Sequence, residues 1–391
     1  LVRDLHDLEC LTLLLRKADM KSLVSLLQHI LQDMEDRCHV STTRDLKTIM
    51  SRIEDEGLSF LTITLSNFGS DLQKALDQGF VDHSLFSGFH FRGGLPLFLG
   101  VFLDLIFNRG TGRLHPDPDL DAIFLVRQLT LMFSKIRLDV SEKRRQASIS
   151  KYLECEYEVR SNDVFRVPSS SAEVPLAPNA RQRRFEHLAN LVFGRVFVDV
   201  ANAIYDERLL PKHGPGSTAD RLSGNRKYYN AVWTDRLEAI FPAGRYASAN
   251  FRDYLERGFV HHDPGAEIPV RVITVPKTMK TPRIIAMEPT HMQYMQQALL
   301  AAFVDAIERD SLAKSLMGFM DQTPNQRLAM EGSRKGTLAT LDLSEASDRV
   351  SNQHVRAMFA RHSLLAEAVD ATRSRKADVP GHGVIRLAKF A

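Results

Sequence analysis

The sequence predicts an α+β fold. Apolar residues recur at helical spacing through the first ~160 positions, and runs rich in Val, Ile and Thr enter only from residue 268 onward. A helix-rich first part therefore gives way to mixed helices and strands.

The elements follow in order. Leu5, Leu8, Leu11 and Leu15 recur at helical spacing, as do Leu23, Leu26, Leu27 and Ile30. Leu95 to Phe107, interrupted by Gly100 and Asp104, reads as a buried helix. Leu120, Ile123, Val126, Leu129 and Phe133 mark another amphipathic helix. The Pro/Ser-rich stretch from Val167 through Ser171 to Pro175 and Pro178 reads as a loop. Helical patterning resumes near Arg183 and runs through Phe185, Leu188, Leu191 and Val192. Ile268 to Val275 and Ile284 to Met287 read as strands, and His291 to Phe303 as a helix. Asp321 to Gln326 reads as a polar loop capping the helix after it. Leu338 to Leu343 is a further predicted strand, followed by a helix from Asp348 through Val350, Val355 and Phe359. These boundaries divide the chain into 1–166, a linker at 167–182, 183–333, and 334–391. No internal repeat is visible.

Length and composition limit the function classes. A chain of 391 residues holds two or three domains, and 44% hydrophobic with 25% charged residues is the composition of a globular protein. No uninterrupted apolar run reaches the roughly 18–20 residues of a membrane span. The chain opens without Met, and Leu1-Val2-Arg3-Asp4-Leu5 lacks a signal-peptide layout. Cys10, Cys38 and Cys155 are too scattered for a zinc site or a disulfide framework. The net charge of +3 neither demands nor excludes nucleic acid, because a nucleic-acid-binding protein can gather positive charge on one face while its total stays near neutral.

Three segments carry the chemistry. In Thr340-Leu341-Asp342-Leu343-Ser344-Glu345-Ala346-Ser347-Asp348 an apolar run ends on one acid and a second follows six positions later. A carboxylate at a strand end can hold a divalent ion, and phosphoryl transfer uses such ions to clamp the attacking and leaving oxygens. Asp342 and the Leu343 carbonyl are the candidate Mg²⁺ ligands, and Asp348 is placed to sense a ribose 2′-hydroxyl. The same residues also fit a helix cap at Ser344 or Ser347 with Asp348. The second segment places Lys277, Lys280 and Arg283 at three-residue spacing between two apolar runs, with Pro276 and Pro282 stiffening the turn. Such a ribbon can present cations to a triphosphate; a solvated basic hairpin is the other reading. The third runs from His213-Gly214-Pro215-Gly216 to Tyr229. Its glycines permit close backbone approach, Lys212, Arg221, Arg226 and Lys227 offer charge to an RNA backbone, and Tyr228, Tyr229 and Trp233 offer faces to bases. A purely structural turn fits equally well. His261-His262-Asp263 reads as a polar loop, and Lys143-Arg144-Arg145 and Arg373-Ser374-Arg375-Lys376 as solvated basic faces.

Taken together, the segments resemble the replicase of single-stranded RNA bacteriophages, the leviviruses. The acidic segment is similar to that family's motif A, D-L-S-x-A-S-D, matched at Asp342, Leu343, Ser344, Ala346, Ser347 and Asp348. The basic segment is similar to motif F, matched at Val275, Pro276, Lys277, Lys280, Thr281 and Arg283, with Ile285, Glu288 and Pro289 fitting its continuation. The family's H-G-P-G…G-N-x-K stretch is matched at His213 to Gly216 and at Gly224, Asn225 and Lys227; Asp321-Gln322 and Asn325-Gln326 fit as well.

The resemblance covers roughly residues 180–391. It implies a right-hand polymerase in which 1–166 forms a helix-rich region and fingers base, 183–333 the fingers and 334–391 the start of the palm. It also implies RNA copying from ribonucleoside triphosphates with two Mg²⁺ ions. The implied partners are template RNA, host translation elongation factors Tu and Ts and a small-subunit ribosomal protein, in a bacterial cytoplasm with no membrane.

The family's next motifs, S-x-G-N and Gly-Asp-Asp, do not follow motif A here. The expectation is therefore a chain that lacks much of the palm and all of the thumb, inactive by itself, with the motif A strand unpaired. A non-catalytic RNA-binding or assembly module and a reverse-transcriptase-like polymerase are the alternatives.

Overall fold

Strong helical periodicity before residue 140 predicts a helical core, and helices build it. The structure, a computed structural model, describes residues 21–136, 140–164, 180–277 and 281–390. The predicted helix over Leu5–Leu15 and most of the Pro/Ser-rich linker lie outside these residues. Helices at 21–38, Thr43–Glu56, Leu65–Gln78 and Leu120–Leu131 enclose a core of Leu27, Leu31, Phe60, Phe68, Leu72, Phe102 and Leu129. Helix Leu65–Gln78 crosses closely at Gly69, where a Cβ would lie 2.5 Å from Thr130 Oγ1. Two short strands, β1 (Phe91–Arg92) and β2 (Leu95–Pro96), pair antiparallel.

The predicted helix over Leu95–Phe107 is corrected. Most of the segment is buried, although Leu97 and Val101 are exposed, and only Gly100–Asp104 is helical. Pro96 ends β2, and Leu99 adopts a left-handed φ of 51°, which breaks the helical path. Asp45, 3% exposed, accepts the Leu99 backbone N–H at 2.6 Å and holds that bend.

Burial pushes the Asp45 carboxyl up from 3.8 to about 6. The folded state thus binds this proton more tightly than the unfolded state, so stability falls as pH rises from about 4 to 6 and is level above. Asp45→Asn keeps the acceptor and removes the buried charge. It is expected to flatten that slope and to stabilise this part of the chain at pH 7 by on the order of 2 kcal/mol, read by urea unfolding across pH. An unchanged slope in the variant would show that another group sets it.

Two compact units are present: one holds the described residues up to Arg145 with Val275–Arg283, the other Gln146–Thr274 with Ile284–Ala391. All but the end residues Val275 and Arg283 of a four-stranded sheet lie in the second, in the order β6-β5-β7-β8, where β5 is Val270–Val275, β6 Arg283–Met287, β7 Lys376–Val379 and β8 Gly383–Arg386. Strands β5 and β7 run parallel, with Val270 opposite Ala377, and β7 and β8 form an antiparallel hairpin. Ile149 and Tyr152 from helix Glu142–Val164 pack with Val270, Val272, Ala377 and Val379 of the sheet. A separate short pair, β3 (Val232–Thr234) and β4 (Val260–His262), runs parallel.

The larger core of this unit gathers Val196, Phe197, Trp233, Leu237, Met295, Leu365 and Ala368. Its longest contributor, Ala180–Tyr205, is long and apolar enough by length and composition to cross a membrane, yet Val196, Phe197, Val200 and Ile204 are buried in this core. Beneath the core edge, Arg236 makes a two-pronged ion pair with Glu267 at 2.6 and 2.7 Å and donates to the Arg373 carbonyl at 3.0 Å.

Two further expectations are corrected. Leu338–Leu343 is not a strand but an exposed segment without regular secondary structure. No strand of the described residues lies beside it, and a strand persists only as part of a ladder. The single helix expected from Asp348 to Phe359 is a 3₁₀ turn at Ser347–Arg349 and a helix at Asn352–Met358. Ser351 separates them as a cap, its hydroxyl accepting from the Gln353 N–H at 2.9 Å.

Candidate active site

Helix Thr323–Lys335 ends at Gly336 with a left-handed φ of 65°, and the chain then runs without regular secondary structure to the first acid. Asp342 is exposed and makes no ion pair or hydrogen bond among the described residues. Leu341 and Leu343 beside it are 86% and 74% exposed. Its carboxylate and the Leu343 carbonyl are therefore open to a ligand.

The turn after Asp342 is firmly held. Glu345 takes a left-handed φ of 55°, a costly conformation for a residue with a Cβ. Its carboxylate accepts from Cys155 Sγ at 2.9 Å and pairs with Lys151, both on helix Glu142–Val164. Hydrogen bonds from Cys155 and Lys151 hold the Glu345 carboxyl below the usual range. Burial, with Glu345 as neighbour, pushes the Cys155 thiol up to about 11, so the thiol stays protonated and donates. Arg349, at the end of the 3₁₀ turn, pairs with Glu158 of the same helix. Glu345 occupies the variable position of the acidic motif, so motif reading passes over it.

Asp348 is placed inward and is already engaged. Lys389 Nζ, wholly buried, donates to Asp348 Oδ1 at 2.8 Å and lies 3.3 Å from the centre of the Tyr152 ring. Around this pair the polypeptide from Leu387 to Phe390 is stitched down. Arg373 donates to the carbonyls of Leu387, Lys389 and Phe390 at 2.9, 2.6 and 3.0 Å, and Phe390 N–H donates to the Val350 carbonyl at 2.7 Å. Glu156 accepts from the backbone N–H groups of Ala388 and Lys389. Burial lowers the Arg373 guanidinium to about 10. Arg373 and Ser374 are thus interior residues, which corrects their reading as a solvated basic face; three carbonyls satisfy the buried guanidinium.

In the basic ribbon, Lys277 and Arg283 are exposed, Arg283 opening β6 beside β5. Lys280 lies outside the described residues. In the glycine-rich stretch, Lys212, Arg221 and Arg226 are exposed and open to an anionic partner. Lys227 is a correction. It is 1% exposed, and its ammonium donates to the carbonyls of Gly214 and Gly216, so it closes the loop instead of meeting phosphate. Trp233 is likewise corrected: it is 1% exposed and donates Nε1–H to the Phe241 carbonyl at 3.0 Å. Tyr228 and Tyr229 remain exposed.

The stretch is also tied to helix Thr290–Arg309. Asp220 accepts from the Thr290 hydroxyl at 2.6 Å and from its N–H at 3.1 Å. Burial works against the Asp220 charge, but hydrogen bonds from Thr218 and Thr290 outweigh it and hold its pKa below the ordinary value. Glu288, at the end of β6, is raised by burial and accepts from the Ser374 hydroxyl. His261 contacts Glu238 at 3.3 Å on β4, and Asp263 caps a turn by accepting from Gly265 and Ala266.

Among the described residues, no three His, Cys, Asp or Glu side chains converge to hold a metal ion. Asp342 is thus an exposed carboxylate that belongs to no such cluster among the described residues.

Comparison with known proteins bears on the part of the chain that holds both acids. Residues 266–391 match the family described as RNA replicase, beta-chain. Over 84 residues the chain is 44% identical to the RNA-directed RNA polymerase beta chain of Enterobacteria phage fr, covering 22% of this chain and 14% of that protein. It is 44% identical over 81 residues to the RNA-directed RNA polymerase subunit beta of Escherichia virus Qbeta, covering 21% and 13%. A beta chain from Enterobacteria phage GA is 37% identical over 91 residues, covering 23% and 16%. The matched stretches thus span less than a fifth of the length of these relatives. Residues 266–391 are thus similar to the RNA replicase beta-chain family.

Proposed function

We propose that the chain is the fingers and first palm segment of a right-hand RNA-dependent RNA polymerase. The observation that carries this reading is the open Asp342 carboxylate, on a turn braced by Glu345, within the stretch that matches the replicase family. In this reading Lys277, Lys280 and Arg283 receive the triphosphate, and charge on the leaving pyrophosphate is offset there. Lys212, Arg221 and Arg226 meet the RNA backbone. Asp342 and the Leu343 carbonyl contribute to binding Mg²⁺, which supplies charge stabilisation when bound. In this reading the 391-residue chain, which contains no Gly-Asp-Asp, does not copy RNA by itself. Host elongation factors Tu and Ts and a small-subunit ribosomal protein are the proposed partners, in the cytoplasm of a bacterial host.

The test compares template-directed incorporation of labelled ribonucleotides by this chain alone and by the chain joined to the Gly-Asp-Asp-bearing part of a similar replicase. Only the joined protein is expected to extend RNA, and Arg283→Ala in it raises the KM for nucleotide about tenfold with RNA affinity unchanged. Synthesis by the chain alone contradicts that expectation. RNA binding with no synthesis by either protein favours a non-catalytic RNA-binding module. A preference for deoxyribonucleotides favours a reverse-transcriptase-like enzyme.

A further inference from the structure

Beside the glycine-rich stretch, within the second unit, lies a cavity of about 260 Å³ that no part of the proposed reaction uses. His213, Tyr228, Trp233, Arg257, His291 and Tyr294 are among its lining residues. Its aromatic wall is already arranged. The His213 and Tyr294 rings stack with centres 4.4 Å apart and 28° between planes, and Tyr228 meets His213 edge-on at 4.6 Å.

The polar groups are arranged unusually. His291 is 1% exposed, yet neither ring nitrogen has a hydrogen-bond partner. His213 Nδ1 is also buried without one. Buried polar atoms are nearly always paired, so an unpaired imidazole lining a cavity points to a ligand. Burial lowers His291 to about 4, so near neutral pH it is uncharged and offers one donor and one acceptor.

The cations at this cavity are committed elsewhere. Arg257 donates to the Tyr228 carbonyl at 2.7 Å and to Asp253 at 3.0 Å, and Lys227 is held by the carbonyls of Gly214 and Gly216. The cavity therefore favours a neutral planar ring over a phosphate. Its volume falls below the roughly 300–1,000 Å³ of a site for a drug-sized ligand, and suits one ring system.

We propose that this cavity receives a single nucleobase, its ring against the aromatic side chains and its polar edge on His291. The expected source, a base turned out of single-stranded RNA, rests on the RNA-copying reading. A free nucleotide presents the same chemistry.

Trp233 lines the cavity and is the single tryptophan of the chain, so its fluorescence reports occupancy. The 391-residue chain is titrated with a mixed-sequence hexaribonucleotide, an abasic strand of equal length, and adenosine and uridine monophosphates. Saturable quenching by the hexamer is expected, at least tenfold weaker with the abasic strand. His291→Phe weakens it at least tenfold, while Tyr205→Ala, at an exposed aromatic outside the cavity lining, changes it less than twofold. Ala249→Phe, from an exposed position at the cavity lining, gives the same loss without altering the core, and serves if His291→Phe fails to fold.

Saturation by a monophosphate as tight as by the hexamer assigns the site to free nucleotides; saturation by the hexamer alone assigns it to RNA. Equal affinity for the abasic strand, unchanged affinity in both cavity variants, or no quenching by any ligand overturns the proposal. The readout is binding, so its failure is distinct from failure of the joined protein to incorporate nucleotides.

Discussion

Asp342→Ala in an active replicase containing this chain should reduce template-directed incorporation by about three orders of magnitude or more. The argument starts from exposure. Asp342 has no partner among the described residues, so removing its carboxylate breaks no contact that holds the fold. Its loss is therefore expected to leave the unfolding midpoint within about 1 °C and RNA affinity within about twofold, as for surface substitutions generally. Loss of synthesis with both controls intact identifies a carboxylate whose work lies in the reaction. Near-normal synthesis by Asp342→Ala would remove it from the metal-binding role. A fall in RNA affinity matching the fall in rate would instead assign it to binding.

Asp348→Asn should act through stability first. The Lys389 ammonium is wholly buried, and Asp348, a third exposed, is its counter-ion at 2.8 Å. Neutralising the carboxylate leaves the buried cation without its counter-ion, supported by the neutral Asn oxygen and the Tyr152 ring, at a cost of about 3 kcal/mol. Lys389→Met in the same chain removes the stranded charge, so the double variant should regain most of the loss. Equilibrium urea unfolding of the wild type, both single variants and the double variant measures the coupling. A cost below about 1 kcal/mol for Asp348→Asn, or additive effects in the double variant, would show that the pair contributes little. Ribose discrimination by Asp348 variants therefore has to be measured under conditions where each variant is folded.

Much of the fold could be read from periodicity, and the exceptions share a cause. The helix Ala180–Tyr205 and the strands β5 and β6 were visible because their patterns are local. Leu338–Leu343 carries a strand-like composition, but a strand needs a neighbour and composition does not supply one. The residues that brace the candidate site were hidden for a related reason. Glu345 sits at a variable motif position and meets Cys155, 190 positions away. Lys227 looked like a phosphate ligand because its sequence neighbours are polar and glycine-rich, but its ammonium is enclosed by the loop that it closes. Local chemistry indicated which residues could react; long-range contacts decide which of them are free to.

The stitching of Leu387–Phe390 bears on the order in which the chain acquires its structure. Glu156 takes hydrogen bonds from backbone groups 232 and 233 positions later, and Asp348 finds its counter-ion 41 positions later. Contacts of such separation close slowly, because a long loop must be ordered before they form. On a ribosome, synthesis runs at about 5–20 residues per second. Asp342 and Asp348 are therefore made seconds before the lysine that fixes the second of them. Until Lys389 leaves the exit tunnel, Asp348 is an ordinary solvated carboxylate on an unsecured turn. The candidate site thus matures later than the helices before it, whose contacts are local.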